Sequence, residues 1–237
     1  MSTQWKAAPF GAGATVTIGA WAFAQTAPPA AWGQTPLYDP QQLPIQRGQV
    51  RQFTLTPRGD IDGLILNDGT EVKTPPHLST EMAYSIKPGD TVTIHGLHAA
   101  ALPLVQAISI TDEAGRTVVD NGPADPGRGP GAAPGAPTPG LSEVQSRVRM
   151  TLHGPRGDLN GALLEDGTIL RLPPPEAERF TKLLQPGQAL VAEGDGFATA
   201  LGKVFEVREL GPSRDQLSLV AESPGARREH RPPPPRR

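Results

Sequence analysis

The chain has 237 residues, with 22 Lys and Arg against 24 Asp and Glu and no cysteine. The near-balance of charge gives no global attraction to nucleic acid or anionic lipid. The missing thiols exclude a disulfide framework, a thiolate metal site and a cysteine nucleophile. Its 27 glycines and 28 prolines approach the level of low-complexity chains, so the folded part is expected to be well below full length.

The first 24 residues carry one charge, Lys6, followed by an uncharged Ala/Gly/Thr-rich run that ends in Ala22-Phe23-Ala24. A basic start, an apolar middle and a small-x-small end predict a secretory signal over 1–24, cut after Ala24. The expected location is therefore periplasmic or secreted, or cytoplasmic if this segment is not a signal. No other stretch approaches the roughly 18 apolar residues of a membrane span. Residues 25–48 are Pro- and Gln-rich, 121–140 are almost wholly Gly, Pro and Ala, and 223–237 form a basic, Pro-rich end. All three lack the apolar side chains that offset backbone ordering and are expected to be disordered. The expected organisation is a first domain over 49–112, a linker over 113–144, a second domain over 145–211 and a tail over 212–237.

The first domain contains "PRGDIDGLILNDGTEVKTPP" from Pro57, and the second repeats it as "PRGDLNGALLEDGTILRLPP" from Pro155. Over Pro57–Gly96 and Pro155–Gly194 the copies align without a gap at an offset of 98, with 14 identities in 40 positions. This is an internal duplication. In the second copy Val148, Met150 and Leu152 alternate with Arg147, Arg149, Thr151 and His153, which predicts a half-buried first strand. In each copy two strand-like runs flank Asp68-Gly69 or Asp166-Gly167, a hairpin signal in which both turn residues are expected to tolerate positive φ. A Pro-Pro pair then ends strand three. Leu78, Met82 and Ile86, and Ala177, Phe180 and Leu184, mark a short helix closed by Pro-Gly. Two further strands complete each copy.

The order strand, strand, strand, helix, strand, strand resembles the OB-fold. The motif "PRGDxxGxxLxDGTxxxxPP" with a later Pro-Gly resembles exported, uncharacterised bacterial proteins of tandem OB-type repeats. That resemblance implies an all-β chain of two tandem, small, five-stranded OB-like Greek-key barrels. Each would carry a short helix between strands 3 and 4, with disordered Pro/Gly-rich segments outside. An SH3-like barrel is the structural alternative, disfavoured by the helix.

The repeated residues invite a site reading, but most fit turns. Gly59, Asp60, Asp68, Gly69, Gly157, Asp158, Asp166 and Gly167 are assigned to corners, with Asp60 and Asp158 expected to accept loop amides. His95 and His98 are three apart on one strand and so face opposite ways, and with His77 they make no metal set. No nucleophile elbow, phosphate loop or HExxH occurs, so no enzyme activity and no cofactor is expected. Strands two and three of both copies lack the aromatic platforms of single-strand binders. Residues 49–112 hold four basic and seven acidic side chains, and 145–211 hold eight and nine. Candidate binding positions are Arg58, Lys73, Arg147, Arg149, Arg156 and Arg171 in the domains, with Arg227, Arg228 and Arg231 in the tail. The expected role is a non-enzymatic binding or scaffolding protein of the bacterial envelope, with a protein or polyanion as partner. The alternative is single-stranded nucleic-acid binding through the Arg face of the second copy and the basic tail.

Overall fold

The computed structural model describes residues 42–122 and 141–221. The expected signal segment, most of the Pro/Gln-rich stretch, the Gly/Pro linker over 123–140 and the basic tail from 222 lie outside the described residues. The first copy runs β1 (Ile45–Leu55), β2 (Ile61–Leu66), β3 (Glu71–Lys73), α1 (Ser79–Ser85), β4 (Thr91–His98), β5 (Leu104–Asp112) and β6 (Thr117–Val119). The second runs β7 (Leu141–His153), β8 (Leu159–Leu164), β9 (Thr168–Arg171), α2 (Pro174–Arg179), β10 (Ala189–Thr199), β11 (Gly202–Gly211) and β12 (Ser218–Leu219).

In each copy strands one to five close on themselves. β1 pairs with β2 and β4, β2 with β3, and β4 with β5, all antiparallel, while β3 pairs in parallel with β5. β7 to β11 repeat this scheme, with β9 parallel to β11. The protein is therefore two closed, five-stranded mixed barrels, each with a short helix between strands 3 and 4. β6 and β12 add a sixth strand outside each barrel, past the expected limits at 112 and 211, and β1 and β7 start ahead of 49 and 145.

The duplication holds pair by pair. Val50↔Leu66, Gln52↔Ile65, Phe53↔Leu64, Thr54↔Gly63 and Leu55↔Ile61 recur as Val148↔Leu164, Met150↔Leu163, Thr151↔Ala162, Leu152↔Gly161 and His153↔Leu159. The kept Gly63 and Gly161 explain why that glycine recurs. A Cβ there would stand 2.1 Å from the Val72 carbonyl oxygen, or 2.0 Å from that of Leu170, so only glycine lets strand three approach.

The hairpin differs in detail from the two-residue turn expected at Asp68-Gly69. The Gly69 amide donates to Leu66 O at 3.0 Å, which puts Asn67 and Asp68 at the centre of the turn, and Gly69 follows at φ 88°. This is a three-residue connection ending in a left-handed glycine, and the Asp68 carboxylate accepts the Thr70 amide at 2.9 Å. Asp166 and Gly167 repeat it, with Thr168 as donor. The expected stripe is buried but runs past the short helices: Met82 lies on α1 with Leu78 and Ile86 just outside it, and Ala177 lies on α2 with half-buried Phe180 and buried Leu184 beyond its end.

Candidate functional site

Strand alternation sorts the apolar residues of the second barrel into two groups. Val148, Ala162, Leu164, Leu170 and Phe205 point inward and form its own core. Leu152, Leu163, Ile169 and Val204 alternate with them, point outward, and are nevertheless buried, because they join the apolar cluster of the first barrel. The equivalent outward positions of the first barrel, Thr54, Ile65, Glu71 and Leu104, are buried too. The two barrels thus pack through the same face, built from strands one, two, three and five of each copy. At these four positions it is apolar on the second barrel and half polar on the first.

The corners follow the same symmetry. The Pro57–Asp60 corner sits against Phe197 in the β10–β11 hairpin, and the Pro155–Asp158 corner sits against Leu102 in the β4–β5 loop. Gln52 Nε2 donates to Gly167 O at 3.3 Å across the junction. Each barrel therefore offers its first corner to the fourth-to-fifth connection of the other, as two subunits do around a two-fold axis.

Where Arg and Lys occupy equivalent positions, the symmetry breaks. Arg171 on β9 crosses to the first barrel. Its Nε donates to Leu55 O at 2.7 Å, its Nη2 to both Asp62 oxygens at 2.8 and 2.6 Å, and its Nη1 to Asn160 in its own barrel at 3.3 Å. The residues equivalent to Leu55 and Asp62 are His153 and Asn160. Lys73 does not reach them. Its Nζ instead forms a buried ion pair with Glu71 Oε2 of its own barrel at 2.9 Å. Glu71 bridges the barrels instead, accepting the His153 amide at 3.0 Å and His153 Nδ1 at 2.6 Å. Burial would raise the Glu71 carboxyl, but the His153 ring and amide and the Lys73 charge outweigh it and hold it below the usual carboxylate range.

On the Lys73 side the junction leaves a half-open cavity of about 370 Å³. Its walls come from both barrels: Lys73, Thr74, Pro75, Pro76 and Gln106 from the first, and His153, Pro155 and Asn160 from the second. Thr74 contributes to that wall, and its Oγ1 is buried without a hydrogen-bond partner.

The candidate binding residues separate accordingly. Lys73 and Arg171 are buried in the junction, so neither presents its charge to a polyanion, and Arg171 does not share a face with Arg147 and Arg149. The reason is local: the wide, apolar face of strands two and three finds its cover in the other barrel. Arg147 and Arg149 are exposed on β7, with Arg147 also donating to Gly187 O, and Arg58 and Arg156 are exposed at the corners. Arg227, Arg228 and Arg231 lie outside the described residues. At the first corner Thr56, not Asp60, accepts the loop amides of Arg58 and Asp60. His95 and His98 sit on β4 while His77 meets Asp120, and among the described residues no group of three ligand-type side chains could hold a metal. No helix among the described residues is long and apolar enough to cross a membrane.

Fold and junction define a tandem protein of two OB-like barrels joined face to face. No protein-family model matches the chain, and no curated protein matches it. Among solved structures it is similar to the wild-type single-stranded DNA binding protein from Thermus aquaticus at 15% identity and a TM-score of 0.23, covering 77% of this chain and 96% of that one. A deletion mutant of the same protein gives 14% identity and a TM-score of 0.22, over 76% and 95%. At that TM-score the likeness carries no argument about this chain.

Proposed function

We propose that this is a non-enzymatic, exported binding or scaffolding protein of the bacterial envelope, in which two OB-like barrels act as one body and hold a partner on their outward surfaces. The carrying observation is the junction itself. The face of strands two and three, with the flanking corners, is where OB barrels lay a ligand strand, and here each barrel's copy is covered by the other. A partner then has the outward surface to meet, where Tyr84 is 80% and Leu219 71% exposed. The same covering counts against single-strand binding on those platforms. The test is fractionation of the native host combined with photocrosslinking from positions 84 and 219. A discrete crosslinked product in the envelope fraction is expected. Cytoplasmic protein crosslinked to single-stranded nucleic acid overturns the reading.

A further inference from the structure

The cavity between the barrels is largely apolar, and its charges are already matched. Its volume of about 370 Å³ suits a small organic molecule, and junctions between domains are where such sites are common. Pro75, Pro76 and Pro155 contribute their rings to the wall, two from the first barrel and one from the second. The ionisable groups there have partners. Lys73 Nζ stands 2.9 Å from Glu71 Oε2, the His153 ring meets Glu71 Oε1, and Asp62 is held by the Arg171 guanidinium. Lys73 Nζ and Thr74 Oγ1 are also buried too deeply to meet a ligand. What remains beside the prolines is uncharged, chiefly the amide side chains of Gln106 and Asn160. A charged molecule entering would lose its hydration and find no free counter-charge, whereas a neutral one loses little.

Strand register carries this neutral surface out of the cavity. Lys73 on β3 pairs with Gln106 on β5, and Gln106 pairs with Leu97 on β4, so the three stand in one row. Gln106 is exposed, and Leu97 beside it is 45% exposed. The same row in the second barrel is Arg171, Glu206 and Asp195, with Arg208 paired to Asp195. The two copies thus differ at matching edges of the junction: two carboxylates on the second barrel, an amide and an exposed leucine on the first. On the first barrel the cavity continues into uncharged, partly apolar surface.

We propose that the cavity and its Leu97 edge form a binding site for a neutral, largely apolar small molecule, its body against the three prolines and its outer end over Gln106 and Leu97. Affinity comes from burial of apolar surface, and selectivity from the lack of any free charge to meet an ion. Neither Tyr84 nor Leu219 lines this site, so it and the outward-surface reading can fail independently.

The test is fluorescence titration of the full chain with N-phenyl-1-naphthylamine, set against 8-anilino-1-naphthalenesulfonate, which has the same ring skeleton plus a sulfonate. Both dyes brighten in apolar surroundings. Saturable binding of the neutral dye is expected with a Kd of about 10 µM or tighter, and the sulfonate should bind about tenfold more weakly. Leu97→Asp with Gln106→Glu gives the first barrel the charges of the second at two exposed positions, and should weaken the neutral dye about tenfold. Leu97→Asp alone serves if the double variant does not fold. Leu219→Ser should leave binding unchanged. The proposal is overturned if the neutral dye shows no saturable binding up to about 50 µM, or if the sulfonate binds as tightly. It is equally overturned if the Leu97 variants bind the neutral dye like the parent, or if Leu219→Ser weakens it as much as they do.

Discussion

Replacing Arg171 by Met tests whether the junction is held as described. The substitution keeps most of the side chain's volume and removes the guanidinium, so it strips the Leu55 carbonyl and the Asp62 carboxylate of their donor at once. Taking one partner from a buried ion pair costs about 3–5 kcal/mol. Asp62 keeps 21% exposure, so water takes over part of its solvation and about 2 kcal/mol is the better figure for that half. The Leu55 carbonyl adds about 1 kcal/mol. The sum, about 3 kcal/mol, corresponds to a fall in Tm of roughly 6–12 °C for a folded unit of this size. Removing both charges together, Arg171→Met with Asp62→Leu, should recover at least half of the loss, because no unpaired carboxylate is then left at the junction. Urea unfolding followed by far-UV circular dichroism measures all three proteins. An Arg171→Met midpoint within about 0.5 kcal/mol of the parent would refute the claim that this contact holds the barrels together.

Four further outcomes are expected. Because the folded-state pKa of Glu71 is lowered, its contribution is present above its ordinary value of 4.5 and lost as pH falls below that. The parent should lose stability in that window more steeply than Glu71→Gln, and parallel urea midpoints for the two proteins would sink the assignment. Gly161→Ala, whose Cβ would stand 2.0 Å from Leu170 O, should destabilise by about 3 kcal/mol or prevent folding. Gly69→Ala has open space around it and only a left-handed φ, so thermal melts should show a loss of only about 1 kcal/mol. Mass spectrometry of the protein from its native host should find a mature chain starting at Gln25, whereas a start at Met1 or Ser2 rules out cleavage after Ala24.

The barrels were readable because local chemistry decided them. The Asp-Gly pairs, the Pro-Pro stops and the helix stripe each act within a few residues. The alternation of Val148, Met150 and Leu152 marks a strand but not its facing, because a bulge between Val148 and Met150 turns Leu152 outward. The junction was less readable, although it left a trace. "GLIL" and "GALL" are apolar at consecutive positions, and "TIL" and "KVF" nearly so, which is the signature of strands buried on both faces. The barrel interior accounts for only one of those two faces. Arg171 and Lys73 went astray for the same reason. A charge on an outward strand position reads as solvent-facing unless something covers the strand, and what covers these lies about a hundred residues away in sequence. The Asp60 expectation failed because a neighbouring hydroxyl, Thr56, was equally placed to accept the same amides. The cavity takes its walls from both copies, and its volume has no counterpart in any one-dimensional pattern.

The shared face also sets a timetable for synthesis. Ile65 on the first barrel is buried outside its own barrel, in the cluster that includes Leu163 on the second, and the two positions are 98 apart in the chain. The closing strand β5 ends at Asp112, and at roughly 5–20 residues per second the ribosome needs about 3–10 s more to reach Leu163. During that interval a closed first barrel would present its bare apolar face to the surroundings. The nascent chain is then most in need of a holding chaperone midway through translation, and a pause in the stretch between the barrels would lengthen its exposure to aggregation.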